Sequence, residues 1–245
     1  MEGVVLAGGT AESGLQQLGV ERVPLLTIGG ETLAARTCRL LLEAGCEGVY
    51  LLAPGEVPLP ELPNVFRSAY SGEMLGDMAA CLKGMRSASL VLTTADMPLL
   101  TAEGVKSVMD YGQQSEADAL YTCVERSVLE NAGLAEGRTY KKIGGKHLSG
   151  GNIFYHDREW IIRSEGILRG LFEQRKDPMA LAKFFGAGFV WKVISGSLTL
   201  SYAEEYLSKK LDARIRVMVS ERPEIAADLD KAADLDVFAN VLDPL

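Results

Sequence analysis

The sequence predicts an α/β fold built on a parallel sheet, and three observations carry that reading. Short, wholly apolar runs of strand length recur through the first half of the chain. Amphipathic helical segments separate them. Glycines and prolines mark the joints. Apolar runs of this length suit strands buried on both faces of a parallel sheet, and strand–helix alternation suits right-handed crossovers.

Taken in order, Gly3–Ala7 is the first buried strand. Residues 31–44 carry Leu33, Ala34, Cys38, Leu41 and Leu42 on one helical stripe, with Gly45 placed to end the helix. Gly48–Ala53 reads as a second strand. The four prolines of residues 54–63 enforce a loop. A helix over 73–85, a buried strand over Ser89–Ala95 and a helix over 101–111 follow, with Thr101 as N-cap and Glu103 in the positive first turn. Asp118–Cys123 is a further strand. Beyond it, residues 138–147 are basic and glycine-containing, Asn152–Tyr155 is a short strand, and 158–185 and 198–211 are helix-rich. Ala213–Val219 reads as a returning strand and Lys231–Leu242 as a final helix. No repeat or long linker divides the chain, so we expect one domain over 1–245 with a helical insertion at about 157–212.

Composition narrows the function. The 245 residues are 47% apolar with a net charge of -8, which supports a sizeable core and disfavours a nucleic-acid partner. Cys38, Cys46, Cys81 and Cys123 show no C-x-x-C spacing and sit in apolar runs, as reduced core residues of a cytoplasmic protein do. No targeting segment is visible, and the greasiest stretch, residues 184–203, is broken by Lys192 and glycines, so no transmembrane segment is expected.

Three motifs carry chemistry. Leu6-Ala7-Gly8-Gly9-Thr10 follows the first strand, where a glycine turn lets backbone N–H groups face a phosphate. Thr94-Ala95-Asp96-Met97-Pro98 places a carboxylate where a buried strand emerges, suited to Mg²⁺ beside nucleotide phosphates. Asp228-Leu229-Asp230 puts two carboxylates on one side of an extended segment, with Asp234 further on. Taken singly, each also has an ordinary reading as a strand-to-loop turn, a turn-forming Asp, or a helix N-cap at Asp230.

In this order the motifs resemble the nucleotidyltransferase superfamily that includes molybdenum cofactor guanylyltransferase-like and sugar-phosphate nucleotidyltransferases. Leu6–Gly9 matches its glycine loop, Asp96-Met97-Pro98 its Asp-x-Pro, and Asp230–Leu235 its closing acidic segment. Pro24–Gly30 resembles the turn before its first helix, and Ser149-Gly150-Gly151-Asn152 its acceptor-site segment. The likeness covers about residues 2–156 and 213–242. It implies a Rossmann-like three-layer α/β/α sandwich with a mostly parallel sheet. It also implies Mg²⁺-dependent transfer of an NMP moiety from a nucleoside triphosphate to a small anionic, phosphorylated acceptor, with release of pyrophosphate. Leu6, Ala7, Gly8, Gly9, Thr10, Gly76 and Asp77 would hold the nucleotide, Gly151, Asn152 and Lys142 the acceptor, and Asp96, Asp228 and Asp230 the metal. A homodimer is a further expectation.

The sequence departs from the family at the triphosphate. Where an Arg normally continues the glycine loop it has Ala11-Glu12-Ser13-Gly14, and Val23 replaces the Lys before Pro24. Asp96, with Arg22 one residue out of register and Lys141 from the basic cluster Arg138, Lys141, Lys142 and Lys146, are then the candidates for handling reaction charge. The same cluster reads equally as a solvated hairpin. Arg175 and Lys176, at a helix junction, are further candidates to reach an acceptor, and the aromatics at 184, 185, 189 and 191 are read as core before a pocket or an interfacial helix. Two other readings stand beside the active transferase: a catalytically impaired nucleotide-binding protein of the same fold, and a nucleotide-sugar glycosyltransferase.

Overall fold

The computed structural model describes residues 1–174 and 177–244, so Arg175 and Lys176 lie outside the described residues. In chain order the elements are β1 (Glu2–Leu6), α1 (Ser13–Gln17), β2 (Thr27–Ile28), β3 (Glu31–Thr32), α2 (Leu33–Glu43), β4 (Val49–Leu52) and β5 (Val65–Arg67). Next come α3 (Met74–Gly84), β6 (Ser89–Thr94), α4 (Ala102–Gln114), β7 (Ala119–Glu125), α5 (Arg126–Asn131), β8 (Lys141–Ile143), β9 (Lys146–Gly150) and β10 (Ile153–Asp157). The chain then runs through α6 (Arg158–Glu173), α7 (Pro178–Phe185), α8 (Ala187–Ile194), α9 (Leu200–Leu211), β11 (Ile215–Ser220) and α10 (Ala232–Phe238).

The sheet is ordered β5-β4-β1-β6-β10-β7, with β11 alongside β7. β5, β4, β1 and β6 are parallel, as are β7 and β11, while β10 runs against both β6 and β7. β9 and β10 are nearly one antiparallel strand, broken at Gly151 and Asn152, where Gly151 donates to the Thr122 carbonyl and Asn152 to that of Ile225. The mostly parallel, three-layer α/β/α architecture is thus as the sequence predicts.

Strand alternation fills the two layers. Val5 and Val91 face α2 and α4, in a core that includes Leu41, Val105 and Val108; Val4 and Leu90 face α3, α6 and α9, with Leu82, Trp160 and Ile215. Two helices of the insertion therefore complete the second layer, which its sequence alone does not show. Thr101 caps α4 by accepting from the Gly104 N–H at 3.0 Å, and Gly45 ends α2 at φ +107°. The four cysteines are free and buried.

Several boundaries differ from the sequence reading. α2 begins at Leu33 because Glu31 and Thr32 pair with Thr27 and Ile28, leaving Thr32 as the cap. β5, a three-residue edge strand with exposed Phe66 and Arg67, escapes any apolar pattern. The basic segment forms the β8–β9 hairpin. The last helix ends at Phe238, and Asp230 is not its cap: Asp234 accepts from the N–H groups of Asp230 and Lys231, both at 2.8 Å. No helix among the described residues is long and apolar enough to cross a membrane.

Candidate active site

The carboxyl ends of β1 and β6 open into a cavity of about 360 Å³, lined by the glycine loop, Tyr70, Gly72, Asp77, Asp96 and Asp230 among others. Ligands bind at this edge of open α/β sheets because the strands end there and the loops diverge. Of the residues expected at the nucleotide, Leu6, Gly8, Gly9, Thr10 and Asp77 line the cavity. Ala7 does not. It is buried, its N–H donating to the Leu52 carbonyl at 2.9 Å. Gly76 also stays off the cavity, in the first turn of α3, where its N–H donates to Glu73 at 2.7 Å.

The glycine loop is held by its carbonyls. The Gly8 oxygen accepts from the Tyr70 hydroxyl at 2.9 Å and from the Arg22 guanidinium at 3.1 Å. The Tyr70 ring lies so close that a Cβ at Gly8 would sit 2.5 Å from it, so any larger residue there would force the ring or the loop to move. No hydrogen bond among the described residues uses the N–H of Gly8, Gly9 or Thr10, which leaves those donors for an anion. Arg22, expected to handle charge directly, instead spends its guanidinium on the loop backbone. Asp77 has a similar supporting role: its carboxylate accepts from the N–H and hydroxyl of Ser71 and the N–H of Gly72, fixing the loop that forms the opposite wall.

Asp96 sits at the cavity floor, where the Thr94 hydroxyl donates to its Oδ1. The acidic segment from the end of the chain is tied to it through the backbone, since Leu229 N–H donates to the Asp96 carbonyl at 2.8 Å. Burial pushes the Asp96 carboxyl up to about 7, and the charges of Asp228 and Asp230 add to that against the Thr94 hydrogen bond. Asp230 is likewise raised to about 6, by burial first and then by Asp228. Asp228 turns away from this cavity and pairs with Arg138, whose guanidinium also reaches the Asp228 carbonyl at 2.9 Å.

Asp230 also borders a second, smaller cavity of about 210 Å³, whose walls include Arg138, Ser149, Asn152 and Asp228. Asn152, expected at the acceptor, is one of those lining residues. Gly151 does not, for it is buried and a Cβ there would meet Thr122 Oγ1 at 2.3 Å and Ile225 at 2.8 Å. Lys141 and Lys142 are exposed on β8, the outermost strand of the hairpin, and line neither cavity. Lys146 pairs with Glu125. Tyr70 carries no pattern that sequence reasoning detects, and Thr94, though inside the Asp96 motif, is not marked by it as a partner of that carboxylate.

The donor set is all oxygen, which suits a hard cation. Among the described residues no group of three or more His, Cys, Asp and Glu side chains is arranged to hold a metal by itself. Two carboxylates on one cavity do, however, match the way Mg²⁺ is held together with substrate phosphates rather than in an all-protein cage. The first cavity is lined by four acids, Glu12, Asp77, Asp96 and Asp230, and by no Lys or Arg among the described residues.

Comparison with known proteins gives the family and the fold. Residues 3–159 match the family model described as a MobA-like NTP transferase domain. Probable molybdenum cofactor guanylyltransferases of Mycobacterium bovis and Mycobacterium tuberculosis are 30% identical over 127 residues, which span 49% of this chain and 60% of those proteins. A solved hypothetical transferase from Thermus thermophilus aligns with a TM-score of 0.83 at 26% identity, over 96% of this chain and 100% of that one. A CMP:2-keto-3-deoxy-manno-octonic acid synthetase complexed with CTP shares the fold at a TM-score of 0.61 and 12% identity, over 98% of each chain.

Proposed function

The chain belongs to the MobA-like NTP transferase family, and from that premise we propose that it transfers an NMP moiety from a nucleoside triphosphate to a small anionic acceptor. An acceptor oxygen attacks the α-phosphorus, the bond from that phosphorus to the α–β bridging oxygen breaks, and pyrophosphate leaves. The observation that carries this reading is the convergence of Asp96 and Asp230 on the cavity lined by the glycine loop.

In this scheme the N–H groups of Gly8, Gly9 and Thr10 take the phosphate oxygens, held in place by Tyr70 and Arg22 on the Gly8 carbonyl. Asp96 and Asp230 would hold Mg²⁺, which supplies charge neutralisation for phosphoryl chemistry when bound. Asp77 keeps the 71–72 wall rigid beside the nucleoside. The acceptor enters from the smaller cavity, where Asn152 and Ser149 offer hydrogen bonds beside Asp230. We take the whole chain as one such unit, with α6 and α9 integral to it.

One observation favours a second reading, a nucleotide-binding protein with impaired catalysis. The first cavity is lined by acids and, among the described residues, by no basic side chain to meet the triphosphate. Calorimetric titration of ATP, GTP, CTP and UTP, with and without Mg²⁺, separates the outcomes when followed by pyrophosphate release with phosphorylated acceptors. Mg²⁺-dependent binding of one nucleotide with turnover is expected. Binding without turnover would select the impaired reading, and binding of none of the four would overturn both.

A further inference from the structure

α8 has the sequence Ala-Gly-Phe-Val-Trp-Lys-Val-Ile, apolar on every side except Lys192. Its inner side is accounted for: Phe189 stacks on Phe185 at 5.5 Å and on Tyr206 at 4.8 Å, between α7 and α9. Its outer side is not. Ala187, Trp191 and Ile194 follow one another at helical spacing and are exposed, Trp191 by 68% and Ile194 by 75%. A helix apolar all round belongs in a core or against an apolar phase, and large aromatics set beside cations mark membrane interfaces.

The charge around this helix says what covers it. The chain carries 33 acidic residues, yet residues 178–203 contain none, and neither do residues 137–156. The structure packs these two acid-free stretches together. The Gly144 N–H donates to the Leu198 carbonyl at 2.7 Å, and the Lys142 side chain lies against Gly196. Lys146 is neutralised by Glu125, but no ion pair among the described residues takes Lys141, Lys142 or Lys192; Lys192 rests over the Tyr202 ring at 4.8 Å. An isologous dimer through this face would bring like charges together. An anionic bilayer would accept both the lysines and the apolar side chains.

We propose that the α8 face docks on an anionic lipid surface, with Trp191 and Ile194 entering the headgroup region and Lys142, which lies beside Gly196, and Lys192 lying over acidic headgroups. This goes beyond the transfer reaction and does not depend on it. The test is cosedimentation of the full chain with vesicles of phosphatidylcholine plus phosphatidylglycerol, against phosphatidylcholine alone, with tryptophan emission read in parallel.

Binding to the anionic vesicles with a blue shift is expected. Ile194→Glu, and separately Lys142→Glu, should each weaken it by roughly tenfold or more. All these positions are exposed, and circular dichroism verifies that each variant is folded. Failure to bind anionic vesicles, equal binding to both vesicle types, or undiminished binding by Ile194→Glu would overturn the proposal. So would a concentration-dependent dimer, abolished by Ile194→Glu, in a protein that ignores vesicles; that result would assign the face to a second copy.

Discussion

The backbone N–H of Leu229 donates to the carbonyl oxygen of Asp96 at 2.8 Å. This single bond joins the end of β6 to the acidic segment before α10 and sets Asp230 on the cavity that Asp96 floors. Leu229 is itself 1% exposed, so core packing anchors the tie right at the cavity wall. Two carboxylates held together by backbone and burial repel one another, which is the electrostatic state a bound cation relieves.

Asp96→Asn should therefore trade function for stability. The folded carboxyl is raised from 3.8 to about 7, so across that window the unfolded chain releases its proton while the folded chain keeps it. Stability consequently falls as pH rises from 3.8 to about 7. At pH above about 7 the variant should be more stable than the wild type, by an amount on the order of 2–4 kcal/mol at most. It should also lose Mg²⁺-dependent nucleotide binding. Thermal melts over pH, with and without Mg²⁺, check both halves, and a variant no more stable than wild type at high pH refutes the burial argument.

The sheet was readable because its central strands are buried on both faces, so Val4, Val5, Leu90 and Val91 leave unbroken apolar runs. β5 was not, because an edge strand with exposed Phe66 and Arg67 has no such run. Asp96 and Asp230 were readable as acids at strand and loop ends in the right order. Their supports were not. Tyr70 is a lone aromatic in a loop, and Arg138 reads as part of a basic run although the fold gives it to Asp228. Lys141 stands away from both cavities for a related reason: clustering along the chain does not show that β8 is the outermost strand of the sheet path. Gly151 was read as a ligand contact when its smallness serves packing against Thr122.

His156 gives a pH dependence of the opposite sign. It is buried between Phe154 and Trp160, at 6.2 and 5.7 Å, and burial lowers it from 6.5 to about 4. Between those values the unfolded chain binds a proton that the folded chain refuses, so stability drops as pH falls through the window. Replacing it with Phe should flatten that acid-side loss without changing nucleotide affinity. Denaturant melts of His156→Phe between pH 6.5 and about 4 measure it, and an unchanged slope would remove His156 from the account.

Gly151→Ala separates packing from acceptor binding. A Cβ there would lie 2.3 Å from Thr122 Oγ1 and 3.0 Å from the Ile225 carbonyl, both buried behind the site. Overpacking of this kind costs about 1–3 kcal/mol. The expected result is a lowered melting temperature with the KM for acceptor nearly unchanged at temperatures where the variant is folded. A large rise in acceptor KM at unchanged stability would restore Gly151 to the acceptor site.

The Gly8–Tyr70 contact calls for a double-mutant cycle. Tyr70→Phe deletes the hydroxyl that donates to the Gly8 carbonyl and keeps the ring. Losing one hydrogen bond of about 1 kcal/mol should raise the nucleotide KM roughly fivefold with little change in kcat, because Arg22 still holds the same oxygen. Gly8→Ala places a Cβ 2.5 Å from the ring, so ring or loop must move and both KM and kcat should suffer. If the damage comes from that collision, adding Tyr70→Ala to Gly8→Ala removes the obstacle, and the double variant should bind nucleotide better than Gly8→Ala alone. Additive losses would instead mean that Gly8 serves the ligand directly, with its hydrogen atoms facing the nucleotide rather than Tyr70.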